Sequence, residues 1–420
     1  MNTFLFMNIQ LLATQTTLLN STGNDLSPEM KTYYDMTLID EAQAMLVHDQ
    51  FGQKRNIPKN GGKTIEFRKF SALPKALTPL TEGVTPNGNS LDVTTITATV
   101  KQFGDYIVQS DLLELTAIDN TILEATKLLG RQAGLTLDTV VRNILNAGTN
   151  VSYAPKVSSG SETEITSRAK LDTDCALTVD VINQAATKLR QANAPTINGD
   201  YVAIIHPYAA YELMRDSAWK DWNQYTSPEH MYEGEIGRIN KVRFVESTEA
   251  KIFKGDDLAS DTRTLLVNKQ AGYSGTITSI DFDGSTAGVA VNALKDRMII
   301  INGVAAKVTA NTATTITVES TNFGTVADDD VIYPGEGGSD GGAVFSTLII
   351  ADGAYGTTEV EGGGLQTFVK QKGSAGTADP LDQRSSVGWK GLKTAEILVP
   401  AYMVRVESMS PRYSANAKAN

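Results

Sequence analysis

The sequence predicts an α+β fold built from several modules, and three observations carry that expectation. A helical pattern of about 29 residues runs from Asp119 to Gly148, about 43 Å of rod at 1.5 Å per residue. Strand and helix signals alternate between residues 178 and 270. Short Thr/Val/Ile-rich segments then dominate 271–342, where Met298-Ile299-Ile300-Ile301-Asn302-Gly303 ahead of Val308 to Val318 is an Asn-Gly hairpin signal.

Taken in order, residues 1–49 are read as a polar, flexible, Thr-, Asn- and Leu-rich arm over about the first 26 and then a helix opened by Ser27-Pro28-Glu29. The first cation is Lys31, so the apolar start lacks the charged flank of a secretory signal. Residues 50–110 read as an extended hairpin. Lys54, Arg55, Lys59, Lys63, Arg68 and Lys69 face one acid, Glu66, in a stretch that alternates as a strand from Thr64 to Phe70. A Pro- and Gly-punctuated loop follows, then a strand-like run from Val93 to Val108. A dozen or more residues per strand gives an arm on the order of 40 Å. A lone two-stranded ribbon is marginal in water, so this one must lie on something.

Residues 111–177 carry the long helix, 119–148, and a polar connector. In it Gly130 and Gly134 sit one turn apart, which suggests close packing or a bend. Thr178 caps a helix that stops before Pro195, Tyr201-Val202-Ala203-Ile204-Ile205 is a buried-type strand, and Pro207 starts a short helix; 178–270 is read as one module. The β-rich stretch 271–342 is read as a small inserted all-β domain. It closes on Gly335-Glu336-Gly337-Gly338-Ser339-Asp340-Gly341-Gly342, which reads as a flexible linker. Segment 343–384 resumes the module of 178–270, and 385–420 supplies C-terminal strands.

Composition narrows the function classes. The chain of 420 residues is 41% hydrophobic and 20% charged, ordinary for a folded protein, with a net charge of −11 and a pI near 4.9. Phosphate contacts need clustered cations, so nucleic-acid binding is not the main task, although a minority surface facing DNA is compatible. No apolar stretch is long enough to predict a membrane span. The single cysteine, Cys175, forms no internal disulfide and has no histidine near it in sequence.

The chemistry-bearing motifs are incomplete. Gly61-Gly62-Lys63-Thr64 lacks the first Gly of a phosphate loop, because position 57 is Ile. His48, His206 and His230 form no metal-ligand spacing and read as structural. Gly272-Tyr273-Ser274-Gly275 misses the nucleophile elbow at Thr276. Asp281-Phe282-Asp283-Gly284 and Asp328-Asp329-Asp330 lack an EF-hand's bidentate Glu and read as solvated turns. Trp219 and Trp222 read as core residues. No catalytic, cofactor-binding or metal residue is expected.

At the basic hairpin the wording becomes that of a known family. The run from Leu46-Val47-His48-Asp49-Gln50-Phe51-Gly52 through Ile65 resembles the major capsid proteins of tailed bacteriophages, the N-four type with the Hong-Kong-phage capsid fold. So do Leu73-Pro74-Lys75-Ala76, Leu80-Thr81-Glu82-Gly83-Val84-Thr85-Pro86, Leu115-Thr116-Ala117-Ile118-Asp119-Asn120, Leu145-Asn146-Ala147-Gly148-Thr149 and Val387-Gly388-Trp389-Lys390. The resemblance implies an N-terminal arm (1–49), an extended loop (50–110), a peripheral domain with a spine helix (111–177 and 385–420) and an axial domain (178–270 and 343–384). The insertion 271–342 would decorate the axial domain. It also implies hexamers and pentamers forming an icosahedral head around double-stranded DNA, assembled in the host cytoplasm, without a membrane or a cofactor. Scaffold, portal and decoration proteins are further implied partners. The expected contact residues on the neighbouring copy are Lys54, Arg55, Lys59, Lys63, Ile65, Phe67, Arg68, Lys69 and Phe70. A nanocompartment shell of encapsulin type and a tail or adhesin protein are the alternatives.

Overall fold

The computed structural model describes residues 38, 41–42, 46–58, 62–70, 73, 75–77, 79, 82–83, 88–111, 121–158, 160–219, 237–360, 364–370, 381 and 383–420. The arm, the start of the first helix, the Asp119 cap, Lys59, Trp222 and His230 lie outside the described residues.

The elements used below are β1 (Gln53–Ile57), β2 (Thr64–Phe70), β3 (Val93–Thr99), β4 (Lys101–Ser110), α1 (Thr121–Leu145), β5 (Val151–Tyr153), α2 (Val179–Gln191), β6 (Tyr201–Ile205), α3 (Pro207–Arg215), β7 (Val242–Glu246), β8 (Val344–Ile350), β9 (Tyr355–Val360), β10 (Gln366–Lys370), β11 (Arg384–Ile397) and β12 (Met403–Ser408). They form an α+β body of two sheets with a separate two-stranded ribbon, β2–β3.

The larger sheet has seven strands, with β5, β12, β8, β6 and β7 in that order and Arg238–Ile239 beyond β7. The seventh, Ile252–Phe253, pairs with β8. β6 and β8 are buried along their whole length. Both faces are therefore covered, which is why β6 reads as a continuous apolar run and β8 as an apolar one broken only by Ser346 and Thr347. One cover is α2, whose Val181, Ile182, Ala185, Ala186 and Leu189 enter the same core. Thr178 occupies the cap position of α2 but makes no side-chain cap bond. Asp216 beyond α3 accepts the Val179 N–H instead, at 2.9 Å. Trp219 is buried, edge-on to Phe244.

The smaller sheet has five strands. β11 is its spine, flanked by β4 and β10 over its first part and by β9 over its last. β1 adds to β9 in parallel. One face packs on α1, through Val387 and Trp389 of β11 against Leu129 and Ala133 of the helix.

Three differences from the sequence reading have physical causes. First, the hairpin is shorter than expected. Only β2 and β3 form a two-stranded ribbon, seven residues each, about 23 Å long. The rest of the second run is β4, captured by β11 over ten pairs. Second, the C-terminal boundary at 384 is not where the strand pairings divide the chain. β9 and β10, ahead of it, pair with β11, and β12, behind it, lies in the seven-stranded sheet between β5 and β8. Alternation and β-propensity mark a strand without naming its partner. Third, 335–342 is no flexible linker but a packed turn. Ser339 N–H donates to the Leu171 carbonyl at 2.7 Å and Gly338 N–H to that of Gly342 at 2.9 Å. A Cβ at Gly338 would overlap the Met409 sulfur and stand 2.6 Å from the Leu171 carbonyl oxygen. Glycine is there for close approach.

The insertion is a closed six-stranded barrel that begins at Leu265 and ends at Pro334. Its strands close over their own core, including Leu265, Ile280, Phe282, Ile299, Val308 and Ile332. The Asn-Gly turn is present, with positive φ at Asn302 (51°) and Gly303 (71°), as a two-residue hairpin requires. Its two tethers touch: a Cβ at Gly255 would run into the Gly335 carbonyl oxygen.

His206 caps α3, its Nδ1 accepting the Tyr208 N–H at 3.1 Å, and stacks on Phe345. Burial holds its imidazolium down to a pKa of about 4. An unfolded histidine titrates near 6.5, so the unfolded chain binds the proton first as pH falls. Stability from this residue is intact above pH 6.5 and falls toward pH 4 by on the order of 3 kcal/mol. Urea unfolding should show that decline flattened in His206→Asn. Gly338→Ala should lower stability by about 1–3 kcal/mol through overpacking; an unchanged melting temperature would restore the linker reading.

Candidate assembly surface

The hairpin root is fixed by buried charge. Asp138, on α1 and fully buried, accepts the N–H groups of Val47 and His48 through Oδ1 at 2.9 and 2.7 Å. Its Oδ2 meets His48 Nδ1 at 2.7 Å. The Tyr355 hydroxyl donates to the His48 carbonyl. Next along the chain, Asp49 pairs with the buried Lys393 of β11 at 2.9 Å and with the exposed Lys54 at 3.7 Å. Removing one partner from such a buried set leaves an uncompensated charge, which is costly. The exposed Lys54 end contributes little.

Beyond the root, strand parity sorts the ribbon into two faces. Ile65 lies opposite Ala98 and Phe67 opposite Ile96. This face packs on Leu398 and Val399 at the end of β11, with Phe67 only 3% exposed. Phe67 sits over Gly356 of β9 and under the Arg55 guanidinium, 5.6 Å from the ring centre. The other face carries Glu66, Arg68 and Phe70, with Phe70 directly opposite Val93. Phe70 is 58% exposed, and Leu73, Leu77, Leu91 and Val93 beyond it are exposed too, Leu77 by 82%.

The expected contact set therefore divides. Phe67 is a correction: it is buried on its own chain and anchors the ribbon, and Ile65 is half-buried beside it. Period-2 alternation already separates positions 65 and 67 from 70. Phe70 is exposed at the far end. Lys63, Arg68 and Lys69 are exposed and form no ion pair with a described residue, whereas Lys54 and Arg55 have partners within the chain. Leu73, Leu77 and Leu91 were missed because their loop has no periodicity, the signal available being large apolar residues among Pro and Gly; Val93 was read only as the start of a strand. No cluster of three or more metal-ligating side chains occurs among the described residues, and no described helix is long and apolar enough to cross a membrane. Cys175 is buried, and burial pushes its thiol up to about 11, which leaves it un-ionised at neutral pH.

Residues 108–292 match the model of a family described as phage capsid protein. No curated protein matches the chain. Among solved structures, the capsid of cyanophage P-SCSP1u is similar at 12% identity and a TM-score of 0.51, covering 87% of this chain and 88% of its own. The capsid of Ralstonia phage GP4 has 12% identity and a TM-score of 0.51, with 89% and 90% covered. That of cyanophage Pam1 has 11% identity and a TM-score of 0.51, with 88% and 92% covered. At such identities these structures bear on the fold, which is the Hong-Kong-phage capsid type. The family match spans less than half of the chain, and together with this fold it supports a phage major capsid protein, a structural subunit of an icosahedral head. The nanocompartment and tail readings are not favoured.

The two phenylalanines should behave oppositely. Phe67→Ala should destabilise the isolated subunit by about 3–5 kcal/mol, and Phe70→Ala by no more than about 0.5 kcal/mol. Urea denaturation of both variants measures this.

Proposed function

We propose that copies of this chain join into hexamers and pentamers by laying the β2–β3 ribbon of each copy across the next. One observation carries the reading: the ribbon's near half is covered by its own chain, while its far end exposes Phe70 opposite Val93, and Leu73, Leu77 and Leu91 are exposed in the loop beyond. Large apolar side chains left exposed in one segment point to an interaction site. A contact between two different patches on identical copies is heterologous, and it closes into rings when the rotation allows.

Lys63, Arg68 and Lys69, with Lys54, Arg55 and Lys59, meet acidic surface on the neighbour, which the net charge of −11 supplies. Such pairs set register and partner choice more than affinity. The apolar end contributes burial at roughly 25 cal/mol per Å². In this reading the smaller sheet with α1 is the peripheral domain, the seven-stranded sheet is the axial domain, and the barrel decorates the latter. The head encloses double-stranded DNA through sequence-independent contacts. Scaffold, portal and decoration proteins complete it, and it assembles in the host cytoplasm. We assign the chain no catalytic role.

Deleting 71–91 should leave soluble subunits that no longer close shells by electron microscopy. Phe70→Asp should do the same without lowering subunit stability. Normal particles from both variants would sink the proposal. Shells built on the basic ribbon should also assemble more weakly in high salt, as light scattering would report.

A further inference from the structure

The one carboxylate of β11, Glu396, is left uncompensated by its own subunit. Its partner across the ladder is Gly356 of β9, and opposed residues point to the same face of a sheet. A Cβ at Gly356 would stand 2.8 Å from the Phe67 ring, so Glu396 opens on the face where the ribbon is rooted. It is half-buried there and forms no ion pair or hydrogen bond with a described residue. Burial alone lifts its carboxyl above the ordinary range. The exposed Asp296 shows the contrast, because a hydrogen bond from the Lys307 ammonium holds its carboxyl low. A desolvated carboxylate without a cation is an unfilled position.

The ribbon carries one strand cation that can fill it on another copy. Within β2, Lys69 shares parity with Ile65 and Phe67, the face that packs on the sheet. Arg68 lies on the other face with Glu66 and Phe70, exposed and without an ion pair to a described residue. It therefore points away from Glu396 of its own chain. A guanidinium takes a carboxylate through two parallel N–H donors, which fixes orientation as well as position. Phe70, about 7 Å farther along the same face, shares the surface that such a contact covers.

We propose that Glu396 is the seat of the neighbouring copy's ribbon and that Arg68 of that copy closes on it. The inference rests on the reading that the ribbon crosses to the next copy, and it names the residue met there. The two groups occupy different places on one chain, the outward face of the ribbon and the sheet at its root. The contact is heterologous and runs in one direction around a ring. A wrong register leaves Glu396 unpaired, so the pair selects the correct one.

Charge exchange tests it. Glu396→Arg and Arg68→Glu should each slow assembly of the full chain at least tenfold by light scattering, and the double variant should assemble faster than either. Single variants that assemble at the parental rate, or a double variant no faster than they are, would overturn it. Glu396→Gln separates assembly from folding: the melting temperature of the subunit should hold or rise while assembly still slows. Parental assembly of that variant would overturn the proposal as well. The 71–91 deletion distinguishes the two levels. If it stops shells and charge exchange restores nothing, the ribbon still crosses and Glu396 is not its seat; if it leaves normal shells, the crossing itself fails.

Discussion

A carboxylate with no access to water governs how the ribbon leaves the body. Asp138 must be compensated where it lies, and its partners are two consecutive backbone N–H groups and the His48 ring. Because two of the three donors are main-chain, the direction of residues 47–49 is fixed and not merely their proximity. Lys393 against Asp49 repeats the device one residue on, tying the same turn to β11. From there the ribbon has a defined exit, and Phe67 over Gly356 sets its angle to the sheet. Only then does its exposed end have a constant position relative to the subunit, which a repeating contact between copies demands.

The seven-stranded sheet meets a similar constraint with a charged strand. All six residues of β12 are buried, Arg405 and Glu407 among them. Arg168 grips both oxygens of Glu407 at 2.7 and 2.5 Å, and Arg405 stands 2.8 Å from one of them. Arg405 also donates to the Asn146 carbonyl just beyond α1. The helix of one sheet is thereby joined to the central strands of the other. Buried pairs of this kind add little net stability compared with apolar packing, but they penalise any register that separates them.

How much of this was legible follows from the range of each interaction. Local signals worked: Asn302-Gly303 as a hairpin turn, the uniform apolar run of β6, and the helix after Thr178. Partner choice did not, because nothing in 384–397 says which strands will flank it. The glycine run at 335–342 looked loose since sequence reports the absence of side chains, not the neighbours that require it. For the ribbon, the basic residues and the capsid-like wording were readable. The division between Phe67 and Phe70 was available from parity alone, whereas exposure of Leu73 and Leu77 depends on the absence of tertiary cover, which no local pattern records.

The contact of Gly255 with Gly335 has a consequence for the chain's history. The barrel leaves and re-enters the body at a single spot, and its closed sheet offers no free edge to the strands outside. Residues 256–334 are therefore a loop in the topological sense, however well folded. Growth or loss within them reaches the rest of the body mainly through that root and the contact of the Asn302-Gly303 turn with Ala169 and Lys170. Lineages can remodel this appendage at one tempo while the wall-forming body, constrained by its neighbours, changes at another.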